Sequence, residues 1–243
     1  RDRSPATMSS ELKMAAAVAA ETEAFFVLPP APRSIDQPPA VARRRDAEAA
    51  RLRDLWEAAR KGFTEVLLIS PDHAEARLRL GRVLWRLQKA DEARARFEKI
   101  LSKAGEAPVQ YLAHLFLGRV LEDKGEWSGA EEHYRATVAA FDARGLKPNT
   151  DPADYPSEAL FLLAEYALAD VLSKKLTTST GKKFDREAKA LFDSLVVATG
   201  AYDSVFPYLR VEWVLAACDD SLLRLGLDAA YEAGPVLAHL LPK

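Results

Sequence analysis

A single cysteine, Cys218, stands in 243 residues, so no intramolecular disulfide can staple the fold, and redox compartment is left open. Histidine is equally sparse: His73, His114, His133 and His239 show no metal-ligand spacing, so neither a metal nor a cofactor is expected. Valine and isoleucine together number 18 against 76 for alanine and leucine, which leaves little material for strands. No apolar run approaches the roughly 18 to 20 residues that cross a bilayer, Ala15 to Ala20 and Phe25 to Leu28 being the longest candidates. Charge of one sign is lacking too. The 34 Lys and Arg against 36 Asp and Glu give a net charge of -2, without the basic excess of a general nucleic-acid binder. What remains is a helix-forming composition, 49% hydrophobic and 29% charged, from which an all-α protein is expected.

The first 40 residues differ from the rest. Ser9 to Phe26 can form an alanine-rich helix, with Leu12, Ala16, Ala19, Ala20 and Glu23 as a thin stripe at helical spacing. Leu28 to Pro39 then holds five prolines, which deny backbone donors and favour extended geometry. Residues 1–40 therefore read as a helix and a Pro-rich arm, pinned either to its own chain or to another subunit. Residues 41–243 form the body.

Within that body the chain repeats itself. Leu80, Gly81 and Leu84 are followed by Ala93, Phe97 and Ile100; Leu117, Gly118 and Leu121 are followed, at identical spacings, by Ala130, Tyr134 and Thr137. Each glycine lets one helix approach its partner, each alanine permits a tight return crossing, and Phe97 and Tyr134 fill the space between. Lys89-Ala90-Asp91-Glu92 and Lys124-Gly125-Glu126-Trp127 mark the turns within each pair.

These residues resemble the tetratricopeptide repeat family, whose unit is two antiparallel helices of about 34 residues. The resemblance implies a right-handed α-solenoid of about five helix pairs. Clear repeats cover about 74–107 and 111–144. Degenerate ones are expected at about 40–73, where Ala59, Phe63 and Val66 hold second-helix positions behind an Arg-rich first helix, and at about 157–200 and 203–241. Gly145 to Pro156 is a long connection between repeats.

The family register places first helices on a concave binding side. It implies a partner-binding set of Arg79, Arg82, Trp85, Arg86, Phe116, Arg119, Glu122, Phe161 and Glu165, with arginines toward one end of a groove and carboxylates toward the other. That lining suits an extended or helical peptide with apolar anchors and an acidic group. The arginines equally fit a solvated helix face paired to Glu75. Only two of the positions that clamp a carboxylate in chaperone-binding relatives carry a donor, Arg79 and Arg82, which disfavours that use.

Nothing in the sequence supports catalysis. Thr177 to Lys183 departs from a phosphate loop, because Leu176 stands at the first glycine position, Lys183 ends it, and no strand precedes it. Asp219-Asp220 and Glu131-Glu132 are neighbours on helices and point apart, and Cys218 has no adjacent cation to activate it. The expected function is a non-enzymatic scaffold, a subunit that stabilises a larger protein assembly through its N-terminal arm and groove. The competing expectation is a transient peptide adaptor. Oligomeric state is open. The arm-like start without a leader tilts the compartment toward export from a bacterial cell over the cytoplasm.

Overall fold

The computed structural model describes residues 5–26, 38–103 and 107–142, and positions 164, 167, 168, 171, 172, 174 and 175. Among these residues regular structure is entirely helical: α1 (Pro5–Phe26), α2 (Pro39–Ile69), α3 (Ala74–Arg86), α4 (Ala90–Leu101), α5 (Ala107–Asp123) and α6 (Trp127–Asp142). The chain divides into two compact units, Arg1–Ile100 and Leu101–Lys243. The expected repeats at 157–200, apart from the seven positions above, and at 203–241 lie outside the described residues. So do most of the Pro-rich arm, the 145–156 connection, Thr177 to Lys183, Cys218, Asp219, Asp220 and His239.

In the first unit, α2 corrects the expected layout of residues 40–73. Those residues were expected to hold two helices, yet α2 runs unbroken over 31 residues. Proline opens its first turn, where no donor is lost. No glycine or proline then interrupts the Ala, Arg, Leu and Glu that follow until Gly62. The chain leaves the helix only at Ser70-Pro71-Asp72.

The antiparallel partner of α2 is instead α1. Ser10 Oγ lies 3.5 Å from Ser70 Oγ, Lys13 pairs with Glu65, and Arg51 Nη2 donates to Glu23 Oε1 at 2.7 Å. Midway, α1 crosses Gly62 so closely that a Cβ there would lie 2.6 Å from Ala17 Cβ. The face α1 buries is Ser10, Ala17, Glu21 and Ala24. The stripe expected from sequence lies mainly on the opposite side: Leu12, Ala16, Ala19 and Glu23 are exposed. A helix that must approach another backbone closely uses its small residues for the seam.

The α3–α4 and α5–α6 pairs follow the repeat register. A Cβ on Gly81 would lie 2.6 Å from the Phe97 ring, and one on Gly118 2.4 Å from the Tyr134 ring, so each glycine is the floor on which the next helix's aromatic rests. Both pairs turn by the same hydrogen bonds. Gln88 N–H donates to Trp85 O and Lys89 N–H to Leu84 O; in the second pair Gly125 N–H donates to Glu122 O and Glu126 N–H to Leu121 O, all at 2.9 Å. This is a Schellman closure, which places one residue in left-handed backbone. That residue is Gly125 in one copy (φ 73) and Gln88 in the other (φ 62), so the first turn centres on Gln88, while Ala90 already begins α4.

Helix α5 is buried almost all round, through Val109, Tyr111, Leu112, Ala113, Leu115, Phe116, Leu117, Val120 and Leu121. Such a helix belongs in a core. The buried positions Ala164, Ala167, Leu168, Val171 and Leu172 belong to the same unit.

Candidate partner-binding faces

In the first unit the residues singled out on α3 meet a ligand from their own chain. Glu21 of α1, only 1% exposed, accepts from Arg79 Nη1 at 2.5 Å and from Arg82 Nη1 at 3.1 Å. Arg79 Nε donates in addition to Glu75 Oε1 at 2.7 Å. Burial alone would lower the Arg79 pKa, but Glu21 and Glu75 outweigh it and raise it above its ordinary value. Arg79 and Arg82 are therefore a built carboxylate receptor, filled by a helix. They belong neither to an open groove nor to a solvated face, because two buried guanidinium groups require a buried counter-charge.

One turn further along α3, Arg86 lies between two indoles, 5.9 Å from the Trp56 ring centre and 5.2 Å from that of Trp85. Trp56 is buried, whereas Trp85 and Arg86 are half-buried. Stacked cation and rings brace each other, and of the residues expected on this face these two keep the most surface.

In the second unit the expected residues separate. Phe116, expected to line a groove, is fully enclosed, as are Leu112, Leu115 and Leu117 on the same helix. Glu122 is buried at the centre of an ionic cluster: Tyr134 OH donates to its Oε2 at 2.6 Å, Arg119 Nη1 lies 3.4 Å from the same oxygen, and Lys174 Nζ donates to Oε1 at 2.7 Å. Burial pushes the Glu122 carboxyl up, but Arg119, Lys174 and Tyr134 together hold it below the usual range. Burial drives the Tyr134 phenol well above its ordinary value. Lys175 reaches the neighbouring helix instead, donating to Glu131 Oε2 at 2.8 Å. Phe161 and Glu165 lie outside the described residues.

The second unit also brings together two histidines nineteen residues apart in the chain. His114 Nδ1 and His133 Nδ1 are 3.0 Å apart, with tilted rings 5.2 Å between centroids. Burial first, then His133, lower the His114 pKa, with Glu132 opposing. Among the described residues no group of three His, Cys, Asp or Glu is placed to hold a metal ion.

Glu21 and Lys174 decide these centres, and sequence reasoning passed over both. Glu21 is one carboxylate in an alanine-rich helix. Its signal is the spacing Ser10, Ala17, Glu21, Ala24, a seam of small residues with one charge. The Lys174-Lys175 pair reads as loop until its helical setting is known.

With the repeat geometry established, comparison with protein families decides the class. A family model described as tetratricopeptide repeat matches residues 41–108 and, in a second register, 78–144. The chain carries tetratricopeptide repeats over residues 41–144. Its fold is the all-α helical-repeat class expected from the paired Leu-Gly motifs. The matched segment starts within α2, so α1 precedes the tetratricopeptide match. No curated protein shows significant similarity to the chain. Tetratricopeptide repeats are protein-interaction modules, which gives this chain protein partners in general terms. Among the described residues no helix is long and apolar enough to cross a membrane.

Proposed function

We propose that this tetratricopeptide protein is a non-catalytic scaffold, a subunit that holds a larger protein assembly together. The observation that carries the reading is the inverted amphipathicity of α1. It turns Ser10, Ala17, Glu21 and Ala24 inward, yet leaves Met8 53% and Leu12 71% exposed. Leu68, 77% exposed, and Ile69 lie at the end of α2 that meets the start of α1 through Ser70 and Ser10. Large apolar side chains left in water by a helix that buries a charge are the mark of a surface with a partner. The occupant is a neighbouring protein subunit with an apolar face.

The test is photo-crosslinking from position 12 or 68, with the mass of the native particle as a second readout. A scaffold crosslinks one defined subunit from both positions and loses it on Leu12→Glu with Leu68→Glu. A native particle of 26.8 kDa that gives no crosslink rejects the reading.

The adaptor reading has one observation in its favour. The α3 face does hold a helix by an acidic residue, and Trp85 and Arg86 beside it keep part of their surface. Crosslinks from position 85 alone, to a peptide released by Trp85→Ala, would select the adaptor. The arm-like sequence between α1 and α2 also fits an exported chain, which cell fractionation checks.

A further inference from the structure

We infer that α1 is an exchangeable helix: the α2–α3 face that holds it within one chain takes the α1 of a second copy, whose Glu21 then completes the Arg79–Arg82 receptor. The inference deepens the interaction reading of α1 but needs no foreign partner. The seam is selective rather than strongly adhesive. Its inward residues Ala17 and Ala24 bury little apolar area, and larger side chains are barred at position 17 by the Gly62 crossing. A buried ion triad adds little net stability over apolar packing, yet it penalises any helix that lacks the acid. The α2–α3 face therefore recognises the pattern small, three residues, acid, two residues, small. A second copy of the chain necessarily carries that pattern.

Exchange requires little else to change. The side chains of Ser10, Lys13, Glu21 and Glu23 on α1 pair with α2, with α3 or with Ser70 directly after α2. Twelve residues, four of them proline, separate Phe26 from Pro39, a span of up to about 40 Å if extended. The same contacts form in one chain or between two, so the balance turns on effective concentration, and exchange is an inexpensive route to a dimer. What favours the dimer is the apolar end of the α1–α2 pair. Two copies joined by exchanged helices bring two sets of Met8, Leu12, Leu68 and Ile69 into one particle, where that surface can be buried.

The test uses the full chain with Cys218→Ser. Single variants Ser10→Cys and Ser70→Cys are mixed and oxidised, positions whose side-chain oxygens are 3.5 Å apart in the docked pair. Exchange yields a covalent species of twice 26.8 kDa from the mixture and from neither variant alone. Glu21→Gln on the Ser10→Cys copy lowers that yield at least about tenfold. In parallel, pools labelled at Leu12→Cys and Leu68→Cys develop energy transfer on mixing. The inference is overturned if the mixture stays monomeric while the double variant closes within one chain. It is equally overturned, whether or not the double variant closes, if the labelled pools never develop transfer. Glu21→Gln weakens the Ser10–Ser70 crosslink between copies but leaves Leu12 and Leu68 in place for a foreign subunit, so failure of this inference and failure of the scaffold reading give different results.

Discussion

Glu21 has the largest consequence of any single side chain described. With it removed, Arg79 and Arg82 keep their burial and lose their shared counter-charge, so Glu21→Ala is expected to cost about 3–5 kcal/mol of the first unit's stability. Urea denaturation checks this. Replacing Glu21, Arg79 and Arg82 together by apolar residues of similar volume should cost much less, because no charge is then stranded. The two repeat glycines make a comparison of a different kind. Gly118→Ala and Gly81→Ala each place a Cβ against an aromatic ring, and each gains roughly 1 kcal/mol of helix propensity. The Tyr134 ring is anchored by its hydroxyl to Glu122, whereas Phe97 has no hydroxyl to tether it. Gly118→Ala should therefore lose about 1–3 kcal/mol net by overpacking, and Gly81→Ala less. Equal losses in denaturant titrations would show that the anchor does not matter.

Among the elements, the two repeats share a turn but not its residue. Gln88 occupies the left-handed conformation that Gly125 occupies in the next repeat. A non-glycine residue is disfavoured there by about 1–2 kcal/mol, and glycine's greater unfolded-state entropy returns part of that. Gln88→Gly is expected to raise stability by about 0.5–1 kcal/mol, read as an increase in the urea midpoint with unchanged slope; a decrease would mean that the Gln88 side chain contributes something its backbone does not reveal. What the sequence disclosed at this scale follows the same division. The α3–α4 and α5–α6 pairs were legible because their packing repeats, glycine beneath an aromatic at identical spacing. The α1–α2 pair was not, because its close crossing joins Ala17 to Gly62, and small residues carry no hydrophobic signal to mark a seam. An apolar stripe on Leu12 looked like the buried face because it is the more apolar one. Position on a face can be read from helical period, but what covers that face cannot. For the same reason Phe116, Arg82 and Glu122 read as surface until their neighbours were placed.

For the whole molecule, the uneven distribution of titrating groups sets the response to acid. In the second unit burial and His133 depress the His114 pKa below 6.5, so the unfolded chain takes up a proton that the folded one refuses. Stability is then complete above that value and falls as pH drops through 6.5 toward the folded pKa. Glu122 and Glu131 are depressed below 4.5 despite burial, by Arg119, Lys174 and Tyr134 in one case and by Lys175 and Arg135 in the other. Their contribution is present above the unfolded value and is lost as pH falls through the folded one, so both steps weaken the same unit in the same direction. In the first unit Glu57 and Glu65 are also lowered, by hydrogen bonds from Arg60 and Lys13, but they face solvent, where such pairs are screened and contribute little. Hydrogen exchange at pH 7.5, 5.5 and 4 should therefore show α5 and α6 losing protection in two stages while α2 and α3 stay protected longer. His114→Gln should remove the first stage and leave the second; if α2 and α3 open first, the histidine pair does not govern the acid response.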